Sequence, residues 1–465
     1  MPGVRPLPGI EYYKMTDFPI QVRRNLKVSK IVFVAVLAVI SVAFIKPKVV
    51  SADSFSNASV STPSLSEKDR IEVFEKVWKS VNDKYFDLSF NGVDWSAARE
   101  RYRSQISGLK SDQEFYALLN QMLGELRDAH TLFRTPHQLE ASKKQQATSV
   151  GISIRVVEAV PVIFSVDRDS DAAQAGIETG MTVRTIDGQP FTERLAQAQG
   201  EISASSSERL TRLRVYARII AGEPKTPLKL GLTRANGTAF DVTLVHRTAS
   251  NISPLTSYLL PSGFAYIKFN AFRSSTGREF KDALAKFKDA PGLIVDLRGN
   301  GGGDVQEMLR IAGYFFDSKV LFGRAVTRSG KPLSFLGGLV RVPLEAYVGG
   351  SGKQIYSKPI VILTSERTGS AAESFTAGMQ ENNRASVIGS QSCGCVNIVN
   401  NRISLKGGGE LQISELGYLS PKGRKLESVG IIPDKVVAAT LADLRSQRDA
   451  WIEEAENFLR NAFKK

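Results

Sequence analysis

The sequence predicts a multidomain α/β (α+β) protein with a helical N-terminal part, a β-rich middle module and an α/β core. Three observations carry this reading. Between residues 67 and 132 apolar side chains recur at the three-to-four spacing of a buried helical stripe. Between 149 and 248 short β-branched runs alternate with Gly and Asp turns. From Gly263 onward continuous apolar strands alternate with helical patterns, the signature of a sheet covered by helices.

Composition narrows the function. The 465 residues are 42% apolar and 23% charged, which is ordinary for a globular chain. The net charge is +14, but residues 1–52 hold eight Lys/Arg against two Asp/Glu, leaving +8 on the rest. No Lys/Arg block is interleaved with aromatics, so nucleic acid is not an expected partner. Two cysteines, Cys393 and Cys395, do not make a disulfide scaffold.

Residues 1–52 read as a signal peptide or N-terminal membrane anchor. Arg23, Arg24, Lys27 and Lys30 precede an uncharged apolar run over 31–45. As a helix that run spans about 22 Å, short of the roughly 30 Å of a bilayer core and suited to a signal-peptide apolar region. Val50-Ser51-Ala52 supplies a small-residue cleavage site. Either way the rest of the chain is exported, with residues 31–45 as the means of membrane attachment if the leader stays. Localisation is expected to be periplasmic, extracellular or membrane-anchored facing away from the cytoplasm.

Residues 53–66 are a Ser-, Ala-, Asn- and Thr-rich linker, and 67–140 form the helical part. Ile71, Phe74, Val77, Trp78 and Val81 make one stripe; Tyr116, Leu119, Met122, Leu123 and Leu126 make the next. Residues 149–248 contain Ala175-Gly176-Ile177, Gly180-Met181-Thr182-Val183 and Ile186-Asp187-Gly188, with a charged helical insertion at 192–223. This order resembles a PDZ domain of the bacterial protease type, although Met181 stands where Asp is usual. The resemblance implies capture of extended peptides and C-termini at a sheet edge. Residues 255–440 are the α/β core, with strands at 264–269, 293–297 and 359–364. The stretch 328–352 reads as a loop or lid, and 441–465 as one C-terminal helix.

Two motifs carry chemistry. Asp296-Leu297-Arg298-Gly299-Asn300-Gly301-Gly302-Gly303 ends a strand in glycines and feeds a helix, so backbone amides can approach an oxyanion. Thr368-Gly369-Ser370-Ala371-Ala372-Glu373 opens another helix. Ser-x-x-Glu is also a capping box, and Ser370 alone could be an N-cap. A nucleophile at the same place gains from the helix dipole and free amides.

Together with Asn383-Arg384-Ala385 and the 427–434 segment ending in Gly430-Ile431-Ile432-Pro433-Asp434, these motifs resemble the C-terminal processing, or tail-specific, peptidases and their tricorn-like relatives. The resemblance implies a crotonase/ClpP-like core, peptide-bond hydrolysis with Ser370 as nucleophile, and oxyanion contacts from Ala371 and Gly302. No cofactor is expected, and no metal, because Cys393 and Cys395 have no matched pair elsewhere and fall short of four ligands. In the processing branch a Lys serves as base; here Cys395 takes its position. The tricorn-like branch uses a His-Thr pair and a Glu, which fall on His130 and Glu427, although Ala129 replaces a polar Ser before the His. A neutral imidazole can accept the serine proton near pH 7, so His130 is the expected base. Glu373, Asp128 and Cys395 are supporting candidates, while His137 and His246 are read as surface or loop residues. The alternative is an inactive pseudo-peptidase that binds peptides or proteins.

Overall fold

The computed structural model describes residues 64–144, 146–250, 254–331, 333–335, 340–342, 344–350 and 356–462. The leader 1–52 and most of the 53–66 linker lie outside the described residues. Among the described residues no helix is long and apolar enough to cross a membrane.

The N-terminal helices are α1 (Glu67–Lys84), α2 (Trp95–Arg103) and α3 (Asp112–Gly124). Ser66 and Asp69 form a reciprocal capping box at α1; Asp94 and Ser111 cap α2 and α3. Such caps satisfy amides that a helix start leaves without partners. Val73, Phe74, Val77 and Val81 face inward and pack with Phe115, Leu119 and Met122. Short β1 (Leu132–Arg134) and α4 (Pro136–Lys143) follow.

The middle module begins with β2 (Gln146–Ser149), which pairs antiparallel with β9 (Arg247–Ser250) and so brings its two ends together. Between them lie β3 (Ile152–Val157), β4 (Val160–Val166), α5 (Asp171–Gln174), β5 (Thr182–Ile186), β6 (Gln189–Pro190), α6 (Phe191–Glu201), α7 (Glu208–Ile219), β7 (Pro227–Thr233) and β8 (Ala239–Val245). The sheet runs β3-β4-β5-β7-β8, with β6 on β5. The expected insertion is α6 and α7, whose Phe191, Ala198, Val215, Tyr216 and Ile219 are buried on the module's apolar core. His246 departs from its expected surface or loop setting. It is buried, with Nδ1 and Nε2 near the carbonyls of Thr226 and Ile220; the β8 end turns inward there. His137 is exposed, as expected.

The core contains β10 (Thr256–Leu259), β11 (Ala265–Lys268), α8 (Thr276–Lys286), β12 (Leu293–Asp296), α9 (Val305–Ala312), β13 (Val320–Thr327), β14 (Leu333–Phe335), β15 (Val340–Val342), β16 (Glu345–Val348), β17 (Ile360–Thr364), α10 (Ala371–Glu381), β18 (Ser386–Gly389), β19 (Ile398–Ser404), β20 (Glu410–Leu419) and β21 (Lys435–Val436). Its main sheet runs β10-β11-β12-β17-β18-β21, parallel from β11 onward. A parallel sheet is covered on both faces, so its strands are apolar throughout. Leu293, Val295, Ile360 and Ile362 face one cluster with α9 and α10; Ile294, Val361 and Leu363 face the other. A second sheet, β1-β20-β13-β16 with β19 on β20, receives the N-terminal helices on Leu411 and Ile413.

Two expectations are corrected here. Residues 328–352 are not simply a loop: β14 pairs with β15, and β16 pairs with β13. The run is too rich in Gly to show a strand period. The C-terminal helix is two helices, α11 (Leu441–Arg445) and α12 (Ala450–Ala462). Gln447 adopts φ 55° between them, which a continuous helix does not allow.

Candidate active site

Three loops leave the same edge of the main sheet. β12, β17 and β18 are adjacent and parallel, so the segments after Asp296, Thr364 and Gly389 emerge side by side. That edge is where open α/β sheets place their sites. The first two loops are tied together: Thr368 Oγ1 donates to the Leu297 carbonyl, Ser365 Oγ to the Arg298 carbonyl, and the Gly369 amide to the Asn300 carbonyl. Asp296 is buried, accepts from Tyr266, and pairs with Arg298, which also pairs with Asp449. These charges anchor the loop and leave the glycines to meet Ser370.

Ser370 lies at the N-terminus of α10, partly exposed between buried neighbours. Its φ of 54° and ψ of −124° hold it in a strained turn. A Cβ on Gly302 would fall 2.6 Å from Ser370 Cβ and 3.0 Å from the Ala371 nitrogen, so only glycine fits. The structure qualifies the oxyanion assignment. The Gly302 amide donates to Asn300 Oδ1 at 2.9 Å, whereas among the described residues the Ala371 and Gly303 amides have no acceptor.

Glu373 belongs to the scaffold of this turn. Its buried carboxylate accepts the Ser370 amide (3.2 Å), as in a capping box, and also Ser392 Oγ (2.5 Å) and the Gly394 (2.7 Å) and Cys395 (3.0 Å) amides. Burial pushes the carboxyl up; these donors pull it down without cancelling the effect. The Cys395 carbonyl in turn accepts the Ser370 amide at 2.9 Å. Cys393 and Cys395 are joined by a disulfide. Both are buried, and Cys395 carries no thiol with which to serve as a base.

Beside this loop lies Asp128-Ala129-His130-Thr131, with Ala129 packed on Cys393 and Cys395. Asp128 holds the turn, accepting the His130 amide (2.9 Å), Thr131 Oγ1 (3.2 Å) and Asn397 Nδ2 (3.3 Å). Burial pulls the His130 imidazole below its ordinary range; Asp128 opposes this and Arg214 adds to it. Glu427 accepts the Val396 and Asn397 amides at 2.7 and 3.1 Å through one oxygen. Burial and the neighbouring Asp128 push its carboxyl up to about 7. His130 Nδ1 and Glu427 Oε1 are both buried and, among the described residues, without a hydrogen-bond partner. No hydrogen bond joins His130 to Ser370 among the described residues.

Residues 263–437 match the family model described as peptidase family S41, and residues 66–124 match the tricorn protease C1 domain. The chain thus carries a peptidase family S41 domain. It is 25% identical over 398 residues to the carboxyl-terminal-processing protease of Synechocystis, covering 82% of this chain and 85% of that protein. To the chloroplastic carboxyl-terminal-processing peptidase 3 of Arabidopsis thaliana it is 24% identical, covering 77% and 67%. Solved structures share the fold. The photosystem II D1 C-terminal processing protease aligns with a TM-score of 0.52 at 21% identity, over 79% of this chain and 93% of that one. Mature CPAF aligns with a TM-score of 0.62 at 14% identity, over 84% and 96%. The S41 chain is thus a serine-type peptidase with an N-terminal helical segment and a mixed α/β core.

Several residues at the S41 site carried no visible signal in the sequence. Asn300 was read only as part of the glycine motif, and its hold on the Gly302 amide was not foreseen. Ser206, Ser207, Arg209 and Arg214 lay in an insertion that read only as charged helix.

Proposed function

We propose that the protein is an exported serine endopeptidase in which Ser370 attacks the scissile carbonyl, His130 takes its proton and Glu427 orients the imidazole. The observation that carries this is the convergence on one sheet edge of a strained Ser370, an Ala371 amide without an acceptor and, nearby, His130 Nδ1 and Glu427 Oε1 without partners, all among the described residues. Serine oxygen bonds to the carbonyl carbon as its proton passes to His130. The developing oxyanion meets the Ala371 amide and a glycine amide at 302–303. The imidazolium then protonates the leaving amine, and water hydrolyses the acyl-enzyme with His130 again as base.

Residues 149–248 serve as a PDZ-like module that captures protein C-termini or extended peptides. In support, β3 is an edge strand, paired only with β4 among the described residues, and it follows Gly151 at φ 77°. An open edge preceded by a glycine turn suits strand addition and carboxylate capture. The test is competition during cleavage of an unfolded model protein. Apolar-ended peptides with a free carboxylate are expected to inhibit and their C-terminal amides to be much weaker. Equal inhibition removes C-terminal capture from the proposal.

A further inference from the structure

We infer that Ser206, carried on the 192–223 insertion, is a positioning residue that holds the Ala129 peptide and so aims His130. This rests on the reading of His130 and Glu427 given above. Ser206 is buried, and its Oγ accepts the Ala129 amide at 2.8 Å, inside the turn that presents His130. Arg214 Nη2 reaches the Ala129 carbonyl, in the next peptide, at 3.5 Å. The residue before His130 is therefore held at both its amide and its carbonyl by one inserted element.

The hydroxyl proton of Ser206 needs an acceptor, since a buried donor left unmade is costly. It faces the Glu427 carboxylate, where it counteracts burial. Glu427 Oε1 is the buried acceptor still open. One hydroxyl thus sits between the His130 turn and the carboxylate proposed to orient the ring. The same arm also holds the other half of the site. Ser207 Oγ donates to the Cys393 carbonyl, and Arg209 Nε donates to the Ser392 carbonyl at 2.8 Å.

The groups facing these residues set the expected pH response. Asp128 and Arg214 face His130; Asp128, Ser206 and the Val396 and Asn397 amides face Glu427; Tyr85 faces both Asp128 and Glu427. Removing the Ser206 donor takes away an interaction that favours ionised Glu427, so Glu427 loses its charge at a higher pH.

The experiment is steady-state cleavage of an unfolded protein substrate by the wild-type chain, S206A, S206T and H130A, across pH. It is paired with NMR titration of the His130 imidazole, assigned by loss of its signal in H130A. S206A is expected to lose kcat by on the order of tenfold to a hundredfold, as for a misaimed catalytic group. Its KM should hold, its acid limb should move to higher pH, and S206T should restore most of the rate. S206A with wild-type kcat and acid limb, or a loss confined to KM, overturns the inference while leaving the Ser-His reading intact. If the wild type does not cleave at all, the Ser-His reading fails, and the imidazole titration decides alone. A shift in S206A supports positioning; an unchanged titration, or an S206A chain that does not fold while S206T titrates unlike wild type, overturns it.

Discussion

The Ser370 amide lies between two acceptors: the Cys395 carbonyl of the neighbouring loop at 2.9 Å and the Glu373 carboxylate of its own helix at 3.2 Å. The nucleophile turn and the 392–395 loop are therefore one structure, organised around a buried acid. Glu373→Gln replaces one acceptor oxygen by an NH2 that faces backbone donors. Leaving buried donors unmet costs about 1–3 kcal/mol each. The variant is expected to melt several degrees lower and to cleave poorly, measured by thermal denaturation and substrate turnover; wild-type melting would show that the loop stands without this acid.

Gly302 bears directly on the nucleophile. With a Cβ 2.6 Å from Ser370 Cβ, Gly302→Ala must displace the turn. Cleavage is expected to fall by more than about a hundredfold, the scale of losing an oxyanion donor, while the chain remains folded by circular dichroism. Retained turnover would mean that the glycine run does not shape the oxyanion site.

Glu427 gives a pH-dependent stability. Its folded carboxyl stands at about 7 against an ordinary 4.5. The folded state binds more protons in that window, so stability present at low pH is lost as pH rises through it. The size is on the order of 3 kcal/mol. Glu427→Gln is expected to be more stable than wild type at pH 8, equal to it near pH 4, and nearly inactive. Parallel melting curves at all pH values would contradict the buried, strained charge.

The Cys393–Cys395 disulfide sets a count. The denatured, unreduced protein is expected to react with no maleimide and the reduced protein with two equivalents. Two reactive thiols before reduction would place the bond outside the folded, isolated protein.

Much of this was legible in the sequence because local pattern and burial agreed. All-apolar 293–295 became a central parallel strand, and the glycine and Ser-Ala-Ala-Glu motifs met at adjacent strand ends. The sequence showed Cys395 where a lysine was expected, but two cysteines one residue apart cannot reveal whether they are bonded. His246 hid its burial because one polar residue after a strand says nothing of the turn above it. Ser206 hid its contact because its partner, Ala129, is 77 residues away; only the folded insertion brings them together.

The central claim is tested most directly by incubating residues 53–465 with an unfolded model protein and comparing wild type with Ser370→Ala and His130→Ala. Cleavage by wild type that vanishes in both variants, with unchanged melting, is the predicted result. Inert wild type across a broad pH range, or full activity in His130→Ala, would contradict the Ser370–His130 account; the first would leave a peptide-binding protein, the second a base elsewhere.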